Sequence, residues 1–219
     1  MKNAVRIRKA NKAKAEKLAA SASPFVEISG TRHPTEVSKA ADLSDTDRDH
    51  IWRIFEENMH TFYQESYIGW DPADKKAELF HQHSRFVLVR DSPHPSDGSD
   101  TDSGILAYTM FRFDEEDGDC VVYCYELQVA KSARRTGLGK VLMQCLYDIG
   151  RTWHMQKVML TVFKANESAT AFYKSVGFEM DPFSPGYEGS ESEESDASES
   201  DDGEECDYMI LSRKIVPTS

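Results

Sequence analysis

The chain of 219 residues contains no apolar run close to the roughly 20 residues that cross a bilayer as a helix. Its N-terminus is basic and lacks the apolar segment of a secretory signal peptide. Its four cysteines form neither a Cys-x-x-Cys pair nor a His/Cys spacing typical of a zinc site. We therefore expect no membrane association, no bound metal and a reducing compartment, the nucleus or the cytoplasm.

Charge is distributed unevenly within a net charge of −12. Residues 1–20 are basic, with seven lysines and arginines against the lone Glu16. This segment is compatible with a nuclear import signal, a nucleic-acid-binding arm, a helix packed on the domain or a solvated arm. We assign residues 1–42 to a basic N-terminal extension, and we expect no direct nucleic-acid contact to be required.

Two polar segments interrupt the rest of the chain. Residues 188–207 carry eleven carboxylates and too little apolar surface to fold, which predicts a disordered acidic insertion. Residues 91–103 predict a shorter polar loop between strands. Apart from these segments, residues 43–219 have the length of a single domain with one sizeable core.

The apolar periodicity predicts a mixed α/β order for this domain. Residues 43–64 have helical spacing with Ser44 as N-cap, and residues 71–80 predict a second, shorter helix. Strands are predicted at 86–90 and 104–114. A later strand-helix-strand unit adds a parallel crossover to these antiparallel strands.

The segment 134–140, Arg-Arg-Thr-Gly-Leu-Gly-Lys, joins a predicted strand at 121–129 to an amphipathic run at 141–147. Glycines allow close backbone approach, and the first N–H groups of a helix attract anions. A dinucleotide-binding fingerprint would need glycine at Leu142, and a P-loop would need Ser or Thr at Val141. The turn therefore predicts a site for a different anionic ligand.

The following segments narrow the choice of ligand. Residues 157–163 predict a buried strand, and residues 166–178 predict a helix capped by Asn166 and ended by Gly177. With the turn, this order resembles the GCN5-related N-acetyltransferases (GNAT), in which the turn cradles the pyrophosphate of acetyl-CoA. The resemblance implies the GNAT fold, a mixed central sheet flanked by helices, with acetyl-CoA as cosubstrate and no metal. It implies cofactor-binding roles for Leu127, Gln128, Val129, Arg134, Arg135, Thr136, Gly137, Leu138, Gly139, Lys140, Asn166 and Tyr173.

A narrower resemblance rests on Phe111-Arg112-Phe113-Asp114, on Tyr123-Cys124-Tyr125-Glu126 and on the run 58–63, Asn-Met-His-Thr-Phe-Tyr. These motifs are similar to the NatD group, N-terminal acetyltransferases selective for histones two-A and four. The resemblance implies acetylation of the N-terminal Ser of tails that begin Ser-Gly-Arg-Gly. We expect histone tails as partners and a monomeric enzyme. One departure is Ile68, which stands where that group has an aromatic side chain.

Glu126 is the candidate general base, because the attacking amine must be neutral. Partial desolvation between Tyr125 and Leu127 would raise its pKa, whereas the alternative role is an ion pair with the basic turn. Tyr123 and Tyr125 share one face of a regular strand and Glu126 lies on the other, unless a bulge, as in this family, brings all three to the cleft. Tyr125 is a candidate substrate contact or proton donor to the thiolate. Tyr123 is either a second catalytic residue or a half-buried sheet aromatic.

Asp114 and Glu116 are candidates for binding an arginine at the third position of the tail, with a solvated hairpin tip as the alternative. The resemblance implies that the peptide slot is lined by Tyr63, Tyr125, Thr161 and Tyr208. Three functions compete with histone N-terminal acetylation: acetylation of other nascent chains, lysine acetylation and non-catalytic histone binding.

Overall fold

The computed structural model describes residues 2–92, 104–187 and 206–216. Most of the polar loop predicted at 91–103, and of the acidic insertion predicted at 188–207, lies outside the described residues. Within the described ranges, no helix combines the length and the apolarity that a bilayer crossing requires.

An eight-stranded sheet forms the centre of the described structure. The strands are β1 (Phe25–Ile28), β2 (Thr31–Lys39), β3 (Arg85–Arg90), β4 (Ile105–Glu116), β5 (Asp119–Val129), β6 (Lys157–Phe163), β7 (Glu179–Met180) and β8 (Tyr208–Lys214). Their spatial order is β1-β2-β3-β4-β5-β6-β8-β7, and every neighbouring pair is antiparallel except the parallel pair β5–β6.

Six α-helices among the described residues cover the two faces of this sheet. They are α1 (Lys2–Asn11), α2 (Ala15–Ala19), α3 (Asp45–Glu65), α4 (Pro72–Leu79), α5 (Leu138–Thr152) and α6 (Glu167–Ser175). The core on one face includes buried residues of α1, α2, α5 and α6, and the core on the other face includes buried residues of α3 and α4. The predicted mixed sheet flanked by helices is therefore confirmed.

Local capping chemistry sets where three of these helices begin. The Ser44 hydroxyl accepts the N–H of Asp47 at 3.1 Å, and one carboxylate oxygen of Asp71 accepts the N–H groups of Ala73 and Asp74. The side chain of Asn166 accepts a backbone N–H at the start of α6. Each cap satisfies a helical N–H group that has no partner within its own helix. The caps predicted at Ser44 and Asn166 are confirmed.

Residues 2–42 form part of the same packed structure. Ala10 of α1 and Leu18 of α2 have no exposed surface, and β2 pairs with β3 over five residues. The side chain of Arg85 donates to the carbonyl of Asn11 at 2.7 Å, which joins α1 to the sheet. Of the alternatives for the basic segment, the structure shows the helix packed on the domain. The boundary placed at residue 42 therefore does not coincide with an edge of the packed structure.

Candidate active site

The candidate site lies where the two parallel strands separate. The ladder between β5 and β6 runs from Val121–Lys157 to Cys124–Leu160 and ends there. Beyond it, the strand ends and the helices α3, α4, α5 and α6 enclose a cavity of about 1100 Å³. A gap between parallel strands leaves backbone N–H and C=O groups of β5 available to a ligand.

One end of this cavity is formed by the turn between β5 and α5. Gly137 has a φ of +92°, a left-handed conformation that side-chain-bearing residues rarely adopt, and α5 starts directly after it. The exposed side chains of Arg134, Arg135 and Lys140 surround this helix N-terminus. The combination of free N–H groups, helix dipole and three cations suits a phosphate-bearing ligand such as CoA.

Gly139 has a second role that the sequence did not indicate. A Cβ atom at this position would lie 3.1 Å from the ring of Phe172 in α6. The missing side chain therefore allows α5 and α6 to approach one another, besides opening the turn. Phe172 lines the cavity and also packs against the core, so it contributes both to the site and to the packing of α6.

The predicted cofactor residues line the cavity with one exception. Thr136 donates its hydroxyl to the carbonyl of Ala133 at 2.7 Å and does not appear in the cavity wall, so its side chain shapes the turn instead. The side chain of Asn166 caps α6, and the Tyr173 side chain is buried. The wall includes Leu127, Gln128, Val129, Arg134, Arg135, Gly137, Leu138, Gly139, Lys140, Asn166 and Tyr173.

The centre of the cavity is shaped by a β-bulge in β5. Glu126 pairs with Met110 of β4 while Cys124 pairs with Phe111, so Tyr125 is an extra residue without its own partner. Because paired residues share a face, Glu126 lies on the same face as Tyr123 instead of the opposite one. The bulge expected from the resemblance is present, and Tyr123, Tyr125 and Glu126 all reach the cavity.

Glu126 is buried and held by two hydrogen-bonding partners. Lys75 Nζ of α4 lies 2.8 Å from Glu126 Oε1, and Gln128 Nε2 donates to Glu126 Oε2 at 2.7 Å. The side chain of Glu126 is only 5% exposed. An ion pair was the alternative role for this residue, but the partner is a helix lysine rather than the basic turn.

Lys75 supplies a positive charge beside Glu126. Burial disfavours the charged form, but the carboxylates of Glu126 and Glu78 outweigh it and raise the pKa of Lys75 above its ordinary value. Its ammonium group also lies 5.2 Å from the ring centre of Phe55 and 5.4 Å from that of Tyr63. Lys75 therefore remains an ammonium ion, fixed between two carboxylates and two aromatic rings.

The two tyrosines of the motif are oriented by polar neighbours. The hydroxyls of Tyr123 and Thr161 are hydrogen-bonded at 2.6 Å, and the guanidinium of Arg112 lies 4.3 Å from the ring centre of Tyr125. Burial raises the pKa of Tyr123 to about 12, although the bond with Thr161 opposes the rise. Burial also raises the pKa of Tyr125, with Arg112 opposing it. Both phenols are thus protonated at neutral pH and able to donate a proton.

The far end of the cavity is acidic. Glu116 and Asp117 of the β4–β5 hairpin contribute carboxylates to the cavity wall. Asp114 pairs with Val121 in the ladder and lies outside the wall. Burial raises the pKa of Glu116, with Asp114 and Asp117 adding to the rise. Three further acids that the sequence had not singled out line the cavity: Asp71 at the N-cap of α4, and Asp74 and Glu78 within α4.

Aromatic side chains form another part of the cavity wall. Trp70 stacks on Phe55 with ring centres 5.9 Å apart, and it meets Tyr63 edge-on at 6.0 Å. Burial and then the Glu126 carboxylate raise the pKa of Tyr63 to about 12. Ile68 is half-exposed at the cavity edge. The predicted peptide-slot residues Tyr63, Tyr125, Thr161 and Tyr208 all line the cavity.

Lys75 and Asn58 are site residues that the sequence did not assign. Asn58 lines the cavity from α3, and its side chain contacts Gln128 and Arg134. Among the described residues, no group of three or more His, Cys, Asp or Glu side chains is arranged to hold a metal ion. The arrangement combines a cationic glycine turn at a helix N-terminus, a buried carboxylate and two phenols within one cavity.

Comparison with known proteins identifies the family of this chain. Residues 50–178 match the Acetyltransferase (GNAT) family. The Saccharomyces cerevisiae protein N-alpha-acetyltransferase 40 is 34% identical over 103 residues, which cover 38% of this chain and 36% of the yeast protein. The chain thus spans little more than a third of that relative's length.

Solved structures share the fold at low sequence identity. Arabidopsis thaliana NAA60, crystallised with a bisubstrate analogue, has a TM-score of 0.55 and 13% identity, covering 84% of this chain and 99% of that one. The ribosomal-protein-S18-alanine N-acetyltransferase of Escherichia coli has a TM-score of 0.50 and 16% identity. The match covers 84% of this chain and 96% of that one. Such identities establish the fold alone. The family match over more than half of the chain shows that it belongs to the GNAT family of acetyltransferases.

Proposed function

We propose that this acetyltransferase moves the acetyl group of acetyl-CoA to the N-terminal α-amine of a protein. The observation that carries the proposal is the order of groups along one cavity. The phosphate-binding turn lies at one end, the buried Glu126 and the two phenols lie in the middle, and the acids lie at the other end. A thioester held at the turn and a basic peptide held at the acids would meet at Glu126.

The proposed reaction uses three groups of β5. Glu126 accepts the proton of the attacking amine, directly or through a water molecule, and an α-amine with a pKa near ~8 needs only a modest base. Tyr125 donates a proton to the departing thiolate. The N–H of Leu127 stabilises the charge that develops on the carbonyl oxygen.

The direction of the Leu127 N–H follows from the sheet. The N–H of Ala130 donates to the carbonyl of Leu106 at the β4 edge of β5. Since successive N–H groups of a strand point to alternate edges, the N–H groups of Leu127 and Val129 point toward the gap beside β6. This is the edge where an extended pantetheine chain and the thioester would lie.

For the substrate, we propose histone tails that begin Ser-Gly-Arg-Gly, met in the nucleus or the cytoplasm. Carboxylates of the β4–β5 hairpin lie at the far end of the cavity, and they suit an arginine near the start of the tail. The similarity to the yeast N-alpha-acetyltransferase 40 supports an α-amine acceptor rather than a lysine side chain.

The test is intact-mass analysis of peptides incubated with acetyl-CoA and the full chain. A Ser-Gly-Arg-Gly peptide should gain one acetyl group, while peptides that begin with Met or Ala should react poorly. A Ser-Gly-Arg-Gly peptide with a blocked N-terminus and a free lysine should not react. Equal rates on all free N-termini would indicate a broader enzyme, and reaction of the blocked peptide would indicate a lysine acetyltransferase. CoA binding without any turnover would indicate a non-catalytic histone-binding protein.

A further inference from the structure

A line of four polar side chains connects the phosphate-binding turn to Glu126. The guanidinium of Arg134 donates to Asn58 Oδ1. Asn58 Nδ2 donates to Gln128 Oε1 at 3.0 Å and to the carbonyl of Val129 at 3.1 Å. Gln128 Nε2 then donates to Glu126 Oε2 at 2.7 Å, and this last pair is 5% exposed at each side chain.

The two ends of this line determine the orientation of both amides between them. An arginine only donates hydrogen bonds and an ionised carboxylate only accepts them. The oxygen of Asn58 must therefore face Arg134, its NH2 group must face Gln128, and the NH2 group of Gln128 must face Glu126. Turning either amide over would place two acceptors, or two donors, against each other.

We propose that Asn58 is a positioning residue for Glu126, acting through Gln128, and that it joins the base to the cofactor turn. This inference rests on the proposed function of Glu126. Lys75 holds Oε1 of the carboxylate and Gln128 holds Oε2, so the two partners together fix its plane. Without Asn58, the Gln128 amide loses the contact that sets its direction, and the carboxylate keeps only one fixed partner.

The link to the turn does not compete with phosphate binding. Arg134 has five N–H donors, and the bond to Asn58 uses one nitrogen. The remaining donors of Arg134 are left for a phosphate. The side chain of Asn58 thus transmits the position of the turn to the base without occupying the anion site.

Two variants of Asn58 and one matched control test this assignment kinetically. Asn58→Ala removes the side-chain amide, while Asn58→Asp keeps an acceptor for Arg134 but presents a second acceptor to Gln128. Both should lower kcat by about tenfold at saturating acetyl-CoA, with CoA affinity by calorimetry within about twofold of the wild type. Gln64→Ala, which truncates an exposed amide on the same helix, should have wild-type kcat.

A double-mutant cycle separates a relay from independent contacts. Asn58→Ala combined with Gln128→Ala should be no slower than Gln128→Ala alone, because Asn58 acts only through Gln128. If the two substitutions lowered kcat by factors that multiply, the inference would be overturned. An effect confined to the KM for acetyl-CoA would overturn it as well.

A second readout does not depend on catalysis. The side-chain NH2 resonances of Gln128, assigned by their loss in Gln128→Glu, should shift in the NMR spectrum of Asn58→Ala and stay in place in Gln64→Ala. Unchanged Gln128 resonances in Asn58→Ala would overturn the relay whatever the substrate is. If the shift occurs but the wild type acetylates no N-terminal peptide, the proposed function fails and the relay stands.

Discussion

The glycine turn and the surroundings of Glu126 are built in different ways. The turn at the cofactor end of the cavity is a contiguous run of seven residues, 134–140, that leads into α5. The centre of the cavity collects Asn58 from α3, Lys75 from α4 and Glu126 from β5, which are widely separated along the chain. A contiguous turn carries its own conformational signals, whereas the centre exists only when the sheet and both helices are in place.

Two neighbouring lysines of α4 illustrate this difference. Lys75 and Lys76 are adjacent and chemically identical, yet Lys75 is 9% exposed beside Glu126 while Lys76 is exposed with its ammonium group 4.5 Å from the ring centre of Trp52. Only the packing of α4 against the sheet distinguishes them. The four predictions that follow test how far each part of the cavity depends on such long-range contacts.

The largest effect is expected for Lys75→Met. This change leaves the carboxylates of Glu126 and Glu78 without their shared cation, and it should lower the free energy of unfolding by about 3–5 kcal/mol. Because the pKa of Lys75 is raised, its contribution is fully present below the ordinary value of 10.5 and is lost only as pH rises through the raised value.

Denaturant unfolding at pH 7 measures this loss. The matched variant Lys76→Met removes only an exposed contact with Trp52 and should cost under about 1 kcal/mol. Equal losses of unfolding free energy in the two variants would show that the buried ion pair stabilises the fold no more than the exposed contact does.

Next in size is the loss of the base in Glu126→Gln. We expect kcat to fall by about 10²-fold or more at pH 7, with partial recovery at high pH as the α-amine loses its proton unaided. The measurement is the pH dependence of kcat on a Ser-Gly-Arg-Gly peptide.

The double variant Lys75→Met with Glu126→Gln distinguishes the base from the ion pair. Removing both charges should restore much of the stability lost in Lys75→Met, and activity should stay low. Near-normal kcat in Glu126→Gln would transfer the catalytic role to a tyrosine.

A smaller effect is expected at the cofactor end. Gly137→Val forces a β-branched residue into a left-handed conformation beside the phosphate site and should raise the KM for acetyl-CoA by about tenfold or more. Gly30→Val is the matched control, since Gly30 has a φ of +83° with open space around it and lies outside the cavity wall. Both variants should lose similar stability, but wild-type CoA affinity in Gly137→Val would refute the phosphate role of the turn.

The smallest effect concerns substrate choice. Glu116→Gln should raise the KM for a peptide with Arg at its third position by about three- to tenfold and should leave a peptide with Ala there nearly unchanged. Asp114→Asn should have less effect, because Asp114 is set back from the cavity wall. Steady-state kinetics on the two peptides measure both, and a larger effect of Asp114→Asn would contradict this geometry.

Sequence reasoning predicted the parts of this fold that have local causes. The cap at Ser44, the strand at Lys157–Phe163 and the turn before α5 follow from side-chain chemistry and periodicity. Strands β1 and β2 were not predicted, because Thr31–Lys39 contains Pro34 and few apolar residues. This segment becomes a strand because β3 offers it a partner, which no local signal reveals.

The same distinction between local and long-range causes applies to the candidate site. Glu126 was identified through its motif, but its partner Lys75 and the side chain of Asn58 required the positions of three separate elements. The resemblance assigned Thr136 to the cofactor site, and the chemistry of arginine binding assigned Asp114 to the peptide site, but neither argument fixes where a side chain points. In the structure, Thr136 bonds back to Ala133, and Asp114 stays in the ladder opposite Val121.

The bulge at Tyr125 also constrains how the length of β5 can change. Cys124 and Glu126 already face consecutive residues of β4, so a chain without Tyr125 would have an uninterrupted ladder with every other partner unchanged. Removing one residue elsewhere in the strand would instead turn all later side chains to the opposite face. Position 125 is therefore the point in β5 where a one-residue deletion leaves Glu126 facing the cavity.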